Sequence, residues 1–151
     1  MKLDQAPKRS ESQYLTFCVG EECLGLAAPS IKDVMYTPKL TPVPLASFEV
    51  AGLQNLRGHI VTAVYAASFL NIDTAKPKEK SMCIVLQNDD DELYSFIVNK
   101  VFDIESWPMD LFEPLPLNVI SKWEDFADGV FRLEGRVVTI LNKEKILKKL
   151  F

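Results

Sequence analysis

Apolar residues alternate with polar ones from the first stretch that reads as structured. Leu15, Phe17 and Val19 take every second position between Tyr14, Thr16 and Cys18, the two-residue period of a strand. Gly20-Glu21-Glu22 follows as a turn, and Cys23-Leu24-Gly25-Leu26 resumes the apolar pattern, so the opening predicts a hairpin. The residues before it are polar and predict a flexible tail over 1–12, leaving 13–151 as the folded domain. Pro29 suits the first turn of a short helix through Ser30 to Val34, with Ile31 and Val34 on its inner face. Pro38, Pro42 and Pro44 remove backbone donors and predict an extended, edge-like chain over Met35 to Leu45.

Phe48 to Leu56 leads into a turn at Arg57-Gly58, and Ile60 to Val64 is a strand rich in β-branched residues. Ala66 to Leu70 predicts one helical turn, and Asp73 to Lys80 a polar, exposed loop whose lysines read as solvation. Met82 to Leu86 is apolar throughout, as a strand buried on both faces would be. Asn88 to Glu92 is a turn, Leu93 to Val98 the return strand, and Val101 to Ile104 continues that pattern. Trp107 to Pro116 is proline-rich and predicts irregular chain. Gly129 to Leu133 and Val137 to Leu141 predict a last hairpin. Asn142 is a fitting N-cap for a closing helix on which Ile146 and Leu147 meet Leu150 and Phe151 at a spacing of four. Short strands separated by turns, with one C-terminal helix, predict an all-β fold of small barrels.

The chain has 151 residues, enough for one domain or two small units sharing a core. Lys and Arg number 17 against 21 Asp and Glu, and the net charge of −4 argues against a general phosphate-backbone binder. Aromatic residues do not interleave with a basic stripe, so nucleic acid is not an expected partner. No apolar run approaches the ~18 residues of a membrane helix, and the polar start is unlike a secretion signal. A cytoplasmic protein with no direct membrane insertion is expected.

Chemistry is sparse. The cysteines Cys18, Cys23 and Cys83 read as buried thiols in a reducing cytoplasm, with a Cys18–Cys23 disulfide across the first hairpin as the alternative. His59 is the sole histidine, and no recognised zinc spacing surrounds it. As a catalytic base it would stand alone at a glycine turn, so a surface histidine is the better reading. The acidic run Asp89 to Glu92 lacks the spaced ligands and central glycine of a calcium loop. With six glycines and no phosphate-cradling motif, neither a nucleotide nor another cofactor is implied. A binding module, not an enzyme, is expected.

One segment is diagnostic. Leu53-Gln54-Asn55-Leu56-Arg57-Gly58-His59-Ile60-Val61-Thr62-Ala63-Val64 resembles the N-L-R-G-x-I-V motif of the CheW family, the coupling proteins of bacterial chemotaxis arrays. Tyr14 to Phe17 with Gly20, Glu21, Glu22 and Gly25 resembles that family's opening hairpin, and Ile31 to Val34 its short helix. Met82 to Leu86 resembles its central strand, Val98 to Ile104 its V-D-G-V-x-D-V segment, and Gly135 to Leu147 its closing hairpin and helix. The resemblance covers Tyr14 to Phe151. It implies two packed, five-stranded, SH3-like β-barrels with a C-terminal helix and no catalytic activity. It also implies a bridge between the cytoplasmic tip of methyl-accepting chemoreceptors and the regulatory domain of a CheA-type histidine kinase, at membrane-associated arrays. Carried over by position, Arg57 is the first candidate contact, with Asp33 as its expected ion-pair partner. Gly58 completes the motif turn. Ile31, Gly52 and Met82 match family contact positions, with core packing and tight backbone as their alternatives. Tyr65 and Ala66 replace the usual acidic residue and leucine after the motif strand, and Val119 to Phe126 is atypical. These departures leave room for a CheW-like scaffold in a pilus-motility or polar-localisation assembly.

Overall fold

The computed structural model describes residues 11–75 and 80–150. The described chain forms two sheets, and one is inserted into the other in sequence. Strands β1 (Glu11–Val19) and β2 (Glu22–Ala27) open the first sheet. The chain then builds the whole second sheet from β3 (Ile31–Tyr36), β4 (Val50–Leu56), β5 (His59–Tyr65), β6 (Met82–Gln87) and β7 (Leu93–Val98). It returns to finish the first with β8 (Lys100–Pro108), β9 (Phe112–Glu113), β10 (Ala127–Leu133) and β11 (Arg136–Leu141). The strand orders are β8-β1-β2-β11-β10-β9 and β3-β6-β7-β5-β4. The first sheet thus has a sixth strand, the two-residue β9, beyond the five expected. Helices α1 (Ala66–Leu70), α2 (Leu117–Trp123) and α3 (Lys143–Lys149), with 3-10 turns at Ala28–Ser30 and Met109–Leu111, complete the described elements.

Each sheet curls round its own apolar centre. In the five-stranded sheet, Met35, Leu56, Val61, Val85 and Leu93 pack together, one residue from every strand. A second layer joins Ala63, Cys83 and Ile97 to Met35, Leu40, Ala51 and Tyr65. Side chains from strands at opposite ends of the sheet order meet only when the sheet closes into a barrel. In the six-stranded sheet, Phe131 is fully buried, with ring centroids 4.9 Å from Trp107 and 5.2 Å from both Tyr14 and Phe112. Between the barrels lies the largest cluster. Leu15, Phe17, Val19, Leu24 and Leu26 of the first face Val64, Ile84, Leu86, Phe96 and Val98 of the second. Ala66 and Leu70 of α1, Trp123 of α2 and Ile146 of α3 seal it. β6 therefore buries both faces, as its unbroken apolar run predicts: Ile84 and Leu86 face the shared core while Cys83 and Val85 face the barrel interior.

Several elements differ from expectation. The first strand begins at Glu11, where Glu11 and Ser12 pair with Pro108 and Trp107, so the polar start of the domain is two residues earlier than its composition suggests. Residues 1–10, Pro77 and its neighbours in the lysine loop, and Phe151 lie outside the described residues. Ser30 to Val34 is not a helix: Ala28–Ser30 is a single 3-10 turn and Ile31 starts β3. The helical spacing of Ile31 and Val34 comes from a bulge. Ile31 opposes Leu86 and Asp33 opposes Val85, so Lys32 is the extra residue. It shifts the alternation by one and turns both Ile31 and Val34 toward the shared core. Val101 to Ile104 is strand but leaves the second sheet at Asn99 to pair with β1. β8 continues through Trp107, which is buried, where irregular chain was expected. Leu117–Trp123 is a helix that the surrounding prolines hide.

Candidate functional site: the Arg57 turn

The second barrel closes where β3 and β4 approach. Leu56 pairs with His59, so Arg57 and Gly58 are the two central residues of a tight hairpin turn. Both have positive φ, 51° and 88°, as the type I′ turn that fits the right-handed twist of a hairpin requires. Glycine adopts this backbone freely; arginine at 57 is held there by its surroundings. The Asn55 Oδ1 accepts from the Gly58 N–H at 2.9 Å and braces the turn from below.

The turn aims the guanidinium across the seam. Arg57 Nη1 stands 3.1 Å from Asp33 Oδ2 on β3, so the expected pair is present and links the two end strands of the sheet. Further along the seam, Gln54 Nε2 lies 3.9 Å from Met35 Sδ. Asp33 is held from its other side, since its Oδ1 accepts from the Val34 N–H at 2.8 Å. The two partners differ in exposure: the Arg57 side chain is 76% exposed and that of Asp33 22%. An arginine carries five N–H donors in a planar fork, so one edge of Arg57 neutralises Asp33 while the other stays open to a second acceptor. Such a half-exposed pair contributes little stability on its own, about 0–1 kcal/mol, which leaves the free edge as its distinctive chemical feature.

The remaining candidates separate. Gly58 belongs to the turn. Ile31 lies two residues before Asp33 and is half-buried against the shared core, and Met82 packs on that core opposite Tyr36, at the far end of the β3–β6 pair. Gly52 is buried in β4, under the Thr41 carbonyl. The candidates do not form one patch. Arg57, Asp33 and Gly58 cluster at one end of the seam; Ile31 and Met82 lie against the shared core, and Gly52 lies under the Thr41 carbonyl.

Ile60 was not singled out in the sequence, yet it is 65% exposed beside the turn. It stands in the same β-branched strand as the buried Val61 and Val64, so its residue type does not distinguish it from its buried neighbours. With exposed His59 it borders an open groove shared with Thr62, Asp91, Glu92 and Tyr94. The acidic turn below is ordered by Asn88, whose Oδ1 accepts from the N–H groups of Asp90 and Glu92 at 2.9 Å each. Among the described residues no three His, Cys, Asp or Glu side chains converge as a metal site, and no helix is long and apolar enough to cross a membrane.

Two curled, SH3-like barrels packed face to face, with a braced Arg-Gly turn at one seam, define a twin-barrel interaction module. A family model described as the CheW-like domain matches residues 13–151, and the chain belongs to that family. It is 31% identical over 143 residues to the chemotaxis protein CheW of Thermotoga maritima, covering 93% of this chain and 90% of that one. Protein PilI of Pseudomonas aeruginosa is 28% identical over 105 residues, covering 69% of this chain and 58% of that one. The crystal structure of the scaffolding protein TtCheW from Thermoanaerobacter tengcongensis superposes with a TM-score of 0.80 at 20% identity. The match covers 88% of this chain and 90% of that one, which establishes the shared fold.

Proposed function

We propose that this chain is a non-catalytic adaptor that joins the cytoplasmic tip of a chemoreceptor to the regulatory domain of a CheA-type histidine kinase. In this reading it works in the cytoplasm, at membrane-associated receptor arrays. The family match along both barrels carries the proposal. The Thermotoga maritima relative is named a chemotaxis protein and the similar solved structure a scaffolding protein, which supports an adaptor role. Arg57 supplies a physical means. Its open guanidinium edge can take a partner carboxylate as a forked, charge-assisted pair, while Asp33 fixes the arginine's direction beforehand and lowers the ordering cost.

The test is titration with a receptor cytoplasmic fragment and, separately, with the kinase regulatory domain. Binding of both with Kd on the order of ten micromolar or tighter is expected for a signalling interface of ordinary size. Failure to bind either at that level would sink the proposal. Arg57→Ala, shown folded by circular dichroism, is expected to weaken one partner about tenfold, the loss of one charge-assisted contact. Unchanged affinity for both would remove Arg57 from the interface. A second reading, a CheW-like scaffold in an assembly outside flagellar kinase control, is favoured by the similarity to protein PilI. Receptor binding without kinase binding is its signature.

A further inference from the structure

Cys18 and Cys23 face each other directly across the β1–β2 hairpin. The hairpin closes through a two-residue turn, with Val19 opposite Glu22. In such a hairpin the flanking pair exchanges both backbone hydrogen bonds, which makes the next pair, Cys18 and Cys23, a non-hydrogen-bonded one. The backbone of Cys18 agrees, since its carbonyl turns away from β2 and accepts from the Asn99 N–H at 3.0 Å. Non-hydrogen-bonded pairs hold their Cα atoms about 4.5 Å apart with both side chains on one face, inside the range that a disulfide spans. The register is locked from outside the hairpin as well, where the Gly20 N–H donates to Asn99 Oδ1 at 2.7 Å.

We propose that Cys18 and Cys23 are a reversible dithiol–disulfide pair, a modification site for a two-electron oxidant of the peroxide class. The two thiols differ in surroundings. Cys23 Sγ has the cationic Arg136 guanidinium at 4.0 Å. Burial, and then the neighbouring Cys23, push the Cys18 thiol up from its ordinary value, so it stays protonated longer. Cys23 is accordingly the attacking sulfur and Cys18 the resolving one. The Cys23 thiolate attacks one peroxide oxygen and the O–O bond breaks. Cys23 becomes a sulfenic acid, and the departing hydroxide takes up a proton to leave as water. The Cys18 thiol then attacks that sulfur, the S–S bond forms, and the second oxygen leaves as water with the Cys18 proton. Two thiols lose two electrons, and one peroxide is reduced to two waters. Both cysteines are partly exposed, so the oxidant has access. Cys83 is fully buried in the second barrel, and burial pushes its thiol up too, so it serves as an internal control.

The site lies beside a contact that closes the first barrel. Arg136 also donates from Nη2 to both carboxylate oxygens of Glu105 on β8, at 3.0 and 2.9 Å. Oxidation ties up the sulfur on one side of this arginine and leaves its Glu105 contact in place.

The experiment is hydrogen peroxide titration of the reduced full chain, followed by thiol counting and peptide mapping without reductant. The three cysteines of the chain give three free thiols at the start. The expected endpoint is one free thiol, a monomer, and a single cross-link between the peptides holding Cys18 and Cys23, all reversed by dithiothreitol. Cys83→Ser should leave the cross-link intact, and Cys23→Ser should abolish it. Arg136→Ala should slow cross-linking several-fold, and an unchanged rate would overturn the role given to Arg136. An unchanged thiol count, a cross-link through Cys83, disulfide-linked dimers alone, or oxidation stopping at a sulfinic acid on Cys23 would each overturn the pair.

Discussion

A carbonyl oxygen sets the size limit at position 52. Gly52 has φ of +151°, and a Cβ there would stand 2.7 Å from the Thr41 oxygen and 3.1 Å from Leu40 Cβ. That oxygen cannot retreat, because Thr41 and Leu53 exchange two backbone hydrogen bonds of 2.8 Å. Gly52→Ala must therefore strain the backbone or break this bridge. We expect a loss of about 1–3 kcal/mol, read as a lower urea midpoint with an unchanged slope. An unchanged midpoint would show that the chain before β4 yields freely. The same position appears in the sequence only as a glycine matching a family contact, with no sign of the carbonyl above it. Residues whose roles are set locally are easier to read. The Arg57-Gly58 turn is legible because two residues between apolar runs suffice to define it, and Asp33 follows from its family position. The Arg136–Glu105 pair is not legible, since β8 and β11 are not neighbours in the sheet and meet only once it curls.

Elements follow the same division between local and distant causes. The closing helix is announced by Asn142, whose Oδ1 accepts from the Lys145 N–H at 3.0 Å as an N-cap should. The other half of the amide is also in use, because Nδ2 donates to Asp128 at 3.2 and 2.9 Å. Asn142→Ala should then cost about 1–2 kcal/mol, the upper part of the range for a lost cap. Asparagine and aspartate are near-equal caps in isolated helices. Here Asn142→Asp would set a second carboxylate against Asp128, so we expect it to be less stable than the parent in thermal unfolding. Added salt should narrow the gap by screening that repulsion. Equal melting temperatures at low salt would mean that Lys145, 3.3 Å from Asp128, absorbs the charge. Where an element depends on distant partners, the sequence misleads. β3 carries helical spacing because its bulge answers to β6. α2 is obscured by flanking prolines, although Pro116 is its N-cap and Trp123 its anchor. The Trp123 indole is 2% exposed and donates to the Leu70 carbonyl at 3.1 Å, tying α2 to the end of α1.

At the scale of the molecule, the two barrels are joined in a way that bears on how such a module transmits force. The second barrel is a contiguous insertion, yet it does not own its inner wall: Ile84, Leu86, Phe96 and Val98 are covered by Phe17, Leu24 and Leu26 of the first. Separating the barrels would expose a large apolar cluster, at roughly 25 cal/mol for each Å², so neither should unfold without the other. The chain carries its own reporters for this. Its two tryptophans lie in different cores, Trp107 inside the first barrel and Trp123 in the shared wall. Trp107→Phe and Trp123→Phe each leave one reporter. Each variant is compared with itself, fluorescence against circular dichroism in the same urea series, so that the cost of either substitution cancels. We expect the two probes to give one midpoint in both variants, as a two-state transition requires. If fluorescence of the Trp107-only variant instead moved at a urea concentration distinct from its circular dichroism, the barrels would be independent units. Arg57 at the second barrel and a partner on the first would then be only loosely coupled. A single transition makes the pair one rigid spacer, and rigidity is what an adaptor needs to fix the geometry between two bound partners.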